Sequence, residues 1–362
     1  MSTNVLMLPP DFPYRELQAV SAILEHADVF VPGYIPGATE LYDPDAFIYQ
    51  SWVERAETVV LPDRNIVSRL ASVARGEKID AHRRRAAAVL AFAQCLDIQI
   101  EPSVAFHELA PNHGNEIALD ELAWFRIADK GNPYEWLAVA LGHSDRIDST
   151  ATPLPIGGLD LEKPLGRWRR NYVITLKIAE LGLSDLRALD RVLALFRWMF
   201  EDFMLAGPAA MLSCVYFAPN SPPRQGMFKQ LYSADRGRAV TGVKNAAWDV
   251  THLSDFARRV DEGRANTKRR YLFATFDEAL KAVARLVVST DDSSASEEEI
   301  LASSLQQWWP PKDARSIAET WFGYVRRPRS PEWFQAQAAR PNRIDELITQ
   351  GEESLRCYNS RN

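Results

Sequence analysis

The sequence predicts an α/β fold with a mostly helical middle, and three strand-to-helix transitions carry that prediction. "ETVVLP" runs into the apolar periodicity of "NIVSRLASVARG", "DIQIEP" into "SVAFHELA", and "RRYLFAT" into "DEALKAVARLVV". In each, a short β-branched or aromatic run gives way to apolar residues at helical spacing, and strand–helix alternation is the mark of a sheet covered by helices.

The elements follow in order. "YRELQAVSAILEHA" reads as a helix, and "VPGYIPGATELYDPD" after it is rich in turn residues. The strand at 58–62 delivers Asp63, and in the next helix Ile66, Leu70 and Val73 fall at i, i+4 and i+7 before Gly76, a C-cap signal. "AHRRRAAAVLAFAQCL" packs through Val89, Phe92, Ala93 and Leu96. Ser103 is an N-cap candidate for the helix holding His107 and Glu108, and "NHGN" (112–115) is expected to end it. From about 116 to 235 the pattern is helical, clearest in "LSDLRALDRVLALFRWMFEDFMLA", with "YFAPNSPPRQG" as a loop. "KNAAWDVTHLSDFARRV" is a further helix, "STDDSSASEEE" (289–299) an acidic linker, and the tail holds short helices with exposed-looking tryptophans, Trp308, Trp309 and Trp333.

Composition bounds the function. The 362 residues allow roughly two domains, and a formal net charge of −6 means that nucleic acid would have to be met by local basic patches. Cys95, Cys214 and Cys357 have no metal-ligand or pairing pattern, as expected of reduced thiols in a cytoplasmic protein. No signal peptide and no membrane-spanning stretch is read, so no membrane partner is expected.

Acids recur at comparable places. Asp63 and Asp277 directly follow strands, Glu108 lies in an early turn of the helix after the second strand, and Asp249 shares a helix stripe with Leu253, Phe256 and Val260. Taken singly, a strand-end aspartate is most often a helix cap. Together at the carboxyl edge of a parallel sheet, such acids would raise one another's pKa values unless a hard cation joined them. Mg²⁺ and Mn²⁺ take oxygen ligands and activate water against phosphodiesters. Asp255, six residues beyond Asp249, is expected on the solvated side.

"VVLPDRNIVSRL", "IEPSVAFHELA", "AAWDVTHLSDF" and "YLFATFDEAL" resemble, in order, the motif segments of PIN-domain nucleases, over roughly 57–110 and 243–285. The resemblance implies a PIN-like, mainly parallel sheet flanked by helices, with a large helical insertion and helical terminal extensions. It divides the chain into an N-terminal extension (1–56), a first core part (57–115), the insertion (116–235), a second core part (236–290), and an acidic linker with a helical C-terminal extension (291–362). It implies Asp63, Glu108, Asp249 and Asp277 as catalytic, metal-holding acids for Mg²⁺ or Mn²⁺. Asn65 and Thr275 match the polar residues that accompany the first and last of them. His252, three residues after Asp249, is expected to support the site. Pro62 and Arg64 depart from the family pattern, and Arg64 is placed to pair with Asp63.

The implied activity is endoribonuclease cleavage of single-stranded RNA, with a toxin or defence effector as the analogue and a protein inhibitor or self-association as further partners. Lys268, Arg269 and Arg270, immediately before the last strand, together with Lys244, are the expected phosphate contacts. Arg167, Arg169 and Arg170, interleaved with Trp168 and Tyr172, have the composition of a single-strand platform. For any one of these runs, including "HRRR" and "VRRPR", a solvated helix face is the plainer reading. Two alternatives stand beside this: an inactive PIN-like scaffold using its tryptophans as a protein interface, and a structure-specific DNA nuclease.

Overall fold

The structure, a computed structural model, describes residues 7–35, 41–148, 151–265, 268–288 and 295–358. The acidic stretch at 289–294 lies outside the described residues. The chain forms two compact units, and it passes from the first into the second and back before ending in the second.

The first unit carries the sheet. Its elements are α1 (Tyr14–Ala27), β1 (Phe30–Pro32), α2 (Pro44–Trp52), β2 (Glu57–Pro62), α3 (Arg64–Ala74), α4 (Ala81–Cys95), β3 (Gln99–Ile100), α5 (Ser103–His113), α6 (Asn115–Asp129), α7 (Pro133–Ala140) and β4 (Arg269–Ala274). The strand order is β1-β4-β2-β3, with β2 parallel to both β4 and β3 and β1 antiparallel to β4. The sheet is thus mainly parallel. Residues 116–160 of the helical stretch belong to this unit and 161–235 to the other.

The two central strands are buried along most of their length, Thr58–Pro62 in β2 and Tyr271–Ala274 in β4, as expected of strands covered on both faces. α4 is buried continuously from Ala86 to Ala93 and packs on α1, α3 and α7, which explains its alanine-rich, weakly sided sequence. Its Phe92 ring meets Phe30 of β1 and Phe47 of α2. Gly76, at φ +85, closes the end of α3 with its N–H on the Val73 carbonyl, a left-handed turn that glycine adopts without steric penalty. α5 begins at Ser103 with Pro102 in the capping position, one residue earlier than the expected Ser103 cap. β1 was not foreseen, because three residues are too few to show an alternating pattern.

Pro62 ends a central strand, where proline is rarely tolerated. The ladder explains it. The Asp63 N–H donates to the Ala274 carbonyl of β4, whereas the Val60 carbonyl accepts from Glu101 at the end of β3. By alternation Pro62 turns its nitrogen to the β3 side, beyond the point where β3 has ended.

The second unit is helical: α8 (Gly166–Gly182), α9 (Ala188–Glu201), α10 (Gly207–Phe217), a 3₁₀ turn (Pro222–Gly226), α11 (Arg236–Ala265), α12 (Glu278–Val287), α13 (Glu297–Leu305), α14 (Pro311–Arg326), α15 (Pro331–Ala338) and α16 (Arg343–Cys357). α11 is packed by α8, α10, α12 and α16. Trp308 and Trp309 are core residues here, 7% and 2% exposed, and the Trp309 indole N–H donates to the Cys214 carbonyl at 2.8 Å. This corrects the expectation of surface tryptophans at 308 and 309. Trp333 is half-buried, lies under the Arg329 guanidinium at 3.9 Å and donates to the Glu201 carbonyl. Among the described residues no helix is long and apolar enough to cross a membrane.

Candidate functional site at the sheet edge

The carboxyl ends of three neighbouring parallel strands lead to Glu101, Asp63 and Thr275, and the last two touch. Asp63 has an extended backbone (φ −69, ψ 169) and is the N-cap of α3, its Oδ1 accepting from the Ile66 N–H at 2.9 Å. Its Oδ2 accepts from the Thr275 hydroxyl at 2.6 Å. Asp63 is 2% exposed and Thr275 fully buried. Thr275 is fixed in turn by its N–H on the Val29 carbonyl at 3.0 Å, just before β1.

Arg64 does not pair with Asp63 as expected. Its guanidinium is bidentate on Glu121 of α6, at 2.7 and 3.0 Å, both side chains being largely buried. A planar fork matches a carboxylate in this way, and α3 lies on α6. Asn65 is exposed, with its carbonyl accepting from the Ser68 hydroxyl.

Glu108 sits half-buried on α5, in the same unit as Asp63. Asp249 and Asp277 belong to the helical unit. Asp277 caps α12, accepting from the Ala279 and Leu280 N–H groups at 2.8 and 3.2 Å. Both strand-end aspartates therefore act as helix caps. Asp249 is half-buried on α11, whose Leu253, Phe256 and Val260 are buried as their spacing indicated, and His252 is buried nearby in the same helix. Among the described residues, no group of three or more histidine, cysteine, aspartate or glutamate side chains gathers as a ready metal site. Glu101 is the acid that motif reading passed over: it ends β3 as Asp63 ends β2, and accepts from the Ser103 N–H.

Asp255 departs furthest from expectation. Instead of being solvated it is 7% exposed and held by Arg167 (2.7 Å), Arg258 (2.8 Å) and Arg259 (2.7 Å). The reason is that α11 is covered on several sides, so the face away from its apolar stripe is not solvent. Burial pushes the Asp255 carboxyl up, but the bonds from Arg258 and Arg259, with Arg259's charge and Arg167's bond behind them, outweigh it and hold it below the usual range.

Most of the expected phosphate contacts also have carboxylate partners. Arg167 is on Asp255, Arg169 on Asp345, Lys244 on Glu352, Arg269 on Glu57 and Arg270 on Glu54. Lys268 and Arg170 are exposed. Exposed pairs such as Arg269–Glu57 are held weakly and can exchange for another anion, unlike the buried Arg167–Asp255 pair. Trp168 and Tyr172 do not form an open platform. They stack on each other at 5.0 Å, Tyr172 is 1% exposed with its hydroxyl on Glu352, and Trp168 also packs against Trp248.

No family model, curated protein or solved structure matches this chain.

Proposed function

We propose that this chain is a PIN-like endoribonuclease that uses Mg²⁺ or Mn²⁺. The observation that supports the reading is the Asp63–Thr275 hydrogen bond. Two residues singled out by separate motifs, 212 positions apart, come within 2.6 Å at the carboxyl edge of adjacent parallel strands. That edge is where α/β sheets bind ligands.

The donor chemistry suits a hard cation. The Ile66 N–H and the Thr275 hydroxyl each engage one oxygen of the Asp63 carboxylate. Mg²⁺ keeps several waters and takes one or two carboxylates plus substrate phosphates, so it does not require a prebuilt cage. Asp63 and Glu108, both in the first unit, would be among its oxygen ligands. When bound, the ion polarises the phosphoryl group and lowers the pKa of water. In this reading Thr275 and the Ile66 amide orient the Asp63 carboxylate, while Arg269 exchanges its exposed pair with Glu57 for an RNA phosphate and Lys268 and Arg270 contact neighbouring phosphates.

A second reading, an inactive scaffold for protein interaction, is favoured by a different observation. Asp63 already has a complete structural role as a buried cap with both oxygens engaged.

Cleavage of labelled single-stranded RNA with Mn²⁺ separates them, comparing wild type with Asp63→Asn, which retains a capping oxygen. Loss of cleavage with EDTA and a fall of about 100-fold or more in the variant are expected of the nuclease. Inert wild type on RNA and on flap DNA, with no Mn²⁺ binding by calorimetry, would leave the scaffold.

A further inference from the structure

The helical unit holds a cleft of about 500 Å³ whose lining includes Arg191, Arg224 and Lys229 together with Tyr216, Phe217 and Tyr232. Its lining among the described residues contains no carboxylate. The volume is that of a small-molecule site.

The parts come from four places in the chain. Arg191 stands on α9, Tyr216 and Phe217 end α10, Arg224 is in the 3₁₀ turn, and Lys229 and Tyr232 belong to the loop before α11. That loop is fixed by close packing: a Cβ at Gly242 of α11 would lie 1.8 Å from the Lys229 carbonyl oxygen, so only glycine permits the approach. Phe228 and Gln230 flank Lys229 at φ +46 and +69, left-handed conformations that non-glycine residues rarely hold. Such backbone persists where the surroundings impose it, and ligand-binding loops are a common setting.

Several arginines of this unit have carboxylate partners, whereas others, Arg236 and Arg329 among them, donate to backbone carbonyls as Arg191 and Arg224 do. Arg167, Arg169, Arg187, Arg238 and Arg258 each have a carboxylate partner. Arg191 instead donates Nη2 to the Ser184 carbonyl at 2.7 Å and lies 5.9 Å from the Phe217 ring centre, while its Nε is buried with no hydrogen-bond partner among the described residues. Arg224 reaches the Ala218 carbonyl at 3.4 Å. Among the described residues neither arginine nor Lys229 forms an ion pair. Three like charges around one cleft favour an anion between them, and guanidinium groups fit phosphate oxygens in pairs. Tyr216 and Tyr232 add aromatic surface against which a nucleobase can pack. Tyr232, 64% exposed, is anchored by its hydroxyl on the Gly182 carbonyl at 3.2 Å.

We propose that this cleft binds a nucleoside phosphate, with the phosphate on Arg191, Arg224 and Lys229 and the base against the tyrosine wall. The nucleotide is either free or the terminal residue of a single strand. The inference does not depend on the nuclease reading, since it uses no metal and none of the acids assigned there.

The test is calorimetry on the full chain in EDTA with AMP, adenosine, inorganic phosphate and a short 5′-phosphorylated oligoribonucleotide. AMP is expected to bind with a Kd of about 1 mM or tighter, and adenosine more weakly. Arg224→Gln with Lys229→Gln, two exposed positions, should weaken AMP by about tenfold or more with an unchanged circular dichroism spectrum. Tighter binding of the oligonucleotide than of AMP would assign the site to a strand end, and equal binding to the free nucleotide. The proposal is overturned if neither AMP nor the oligonucleotide binds, if adenosine binds as well as AMP, or if the double variant binds like wild type.

Discussion

Asp63 and Asp255 are both nearly buried aspartates, one in each unit, and they are held by opposite means. Asp63 accepts from a backbone amide and a hydroxyl at the edge of a sheet. Asp255 accepts from three guanidinium groups within a helical core. Dipolar donors orient a carboxylate. Guanidinium groups neutralise it, and here they exceed it. The second arrangement is electrostatically saturated and serves to join α8 to α11. A buried acid is therefore informative about function only once its partners are known.

Removing Asp255 should break this comparison with the largest effect. Asp255→Ala leaves Arg167, Arg258 and Arg259 facing one another, and denaturant unfolding should show a loss of about 3 kcal/mol, the low end for a broken buried pair because the guanidiniums are partly exposed. The same group sets a pH dependence. Its folded pKa is depressed below the ordinary 3.8, so its stabilisation is fully present above that value and is lost as pH falls through the folded pKa. The margin of wild type over Asp255→Asn should accordingly shrink on acidification through and below pH 3.8.

At the sheet edge, Asp63→Ala removes a cap and strands a buried hydroxyl, together about 2 kcal/mol by the same unfolding measurement. Thr275→Val deletes the donor and leaves the cap intact, so a smaller loss of about 1 kcal/mol is expected. If Thr275→Val lowers RNA cleavage far more than it lowers stability, the hydroxyl positions a working carboxylate. If both fall together, its role is structural. The smallest effect belongs to the exposed Arg269–Glu57 pair. Arg269→Ala should change stability by less than about 1 kcal/mol, and any effect should fade as salt is raised.

Much of the local structure was legible in the chain. α1 coincides with "YRELQAVSAILEHA", α3 with the Ile66, Leu70, Val73 spacing and its Gly76 stop, and α12 with the run after Asp277. Both strand-end aspartates proved to be caps, the plainer of the two meanings weighed for each alone. These features depend on residues within a few positions of one another, so helical periodicity and capping chemistry determine them before any packing occurs. The motif reading set Thr275 beside Asp277, and the structure puts its hydroxyl on Asp63. The contact of Thr275 with Asp63, the antiparallel addition of β1, the turn of Arg64 to Glu121, the burial of Trp308 and Trp309, and the bond from Arg167 to Asp255 were decided only by tertiary structure. Each joins segments tens to hundreds of residues apart, and whether a charge or an indole faces water depends on which helix comes to lie over it. Sequence spacing fixes the face of a helix that a residue occupies; what covers that face is fixed by the rest of the chain.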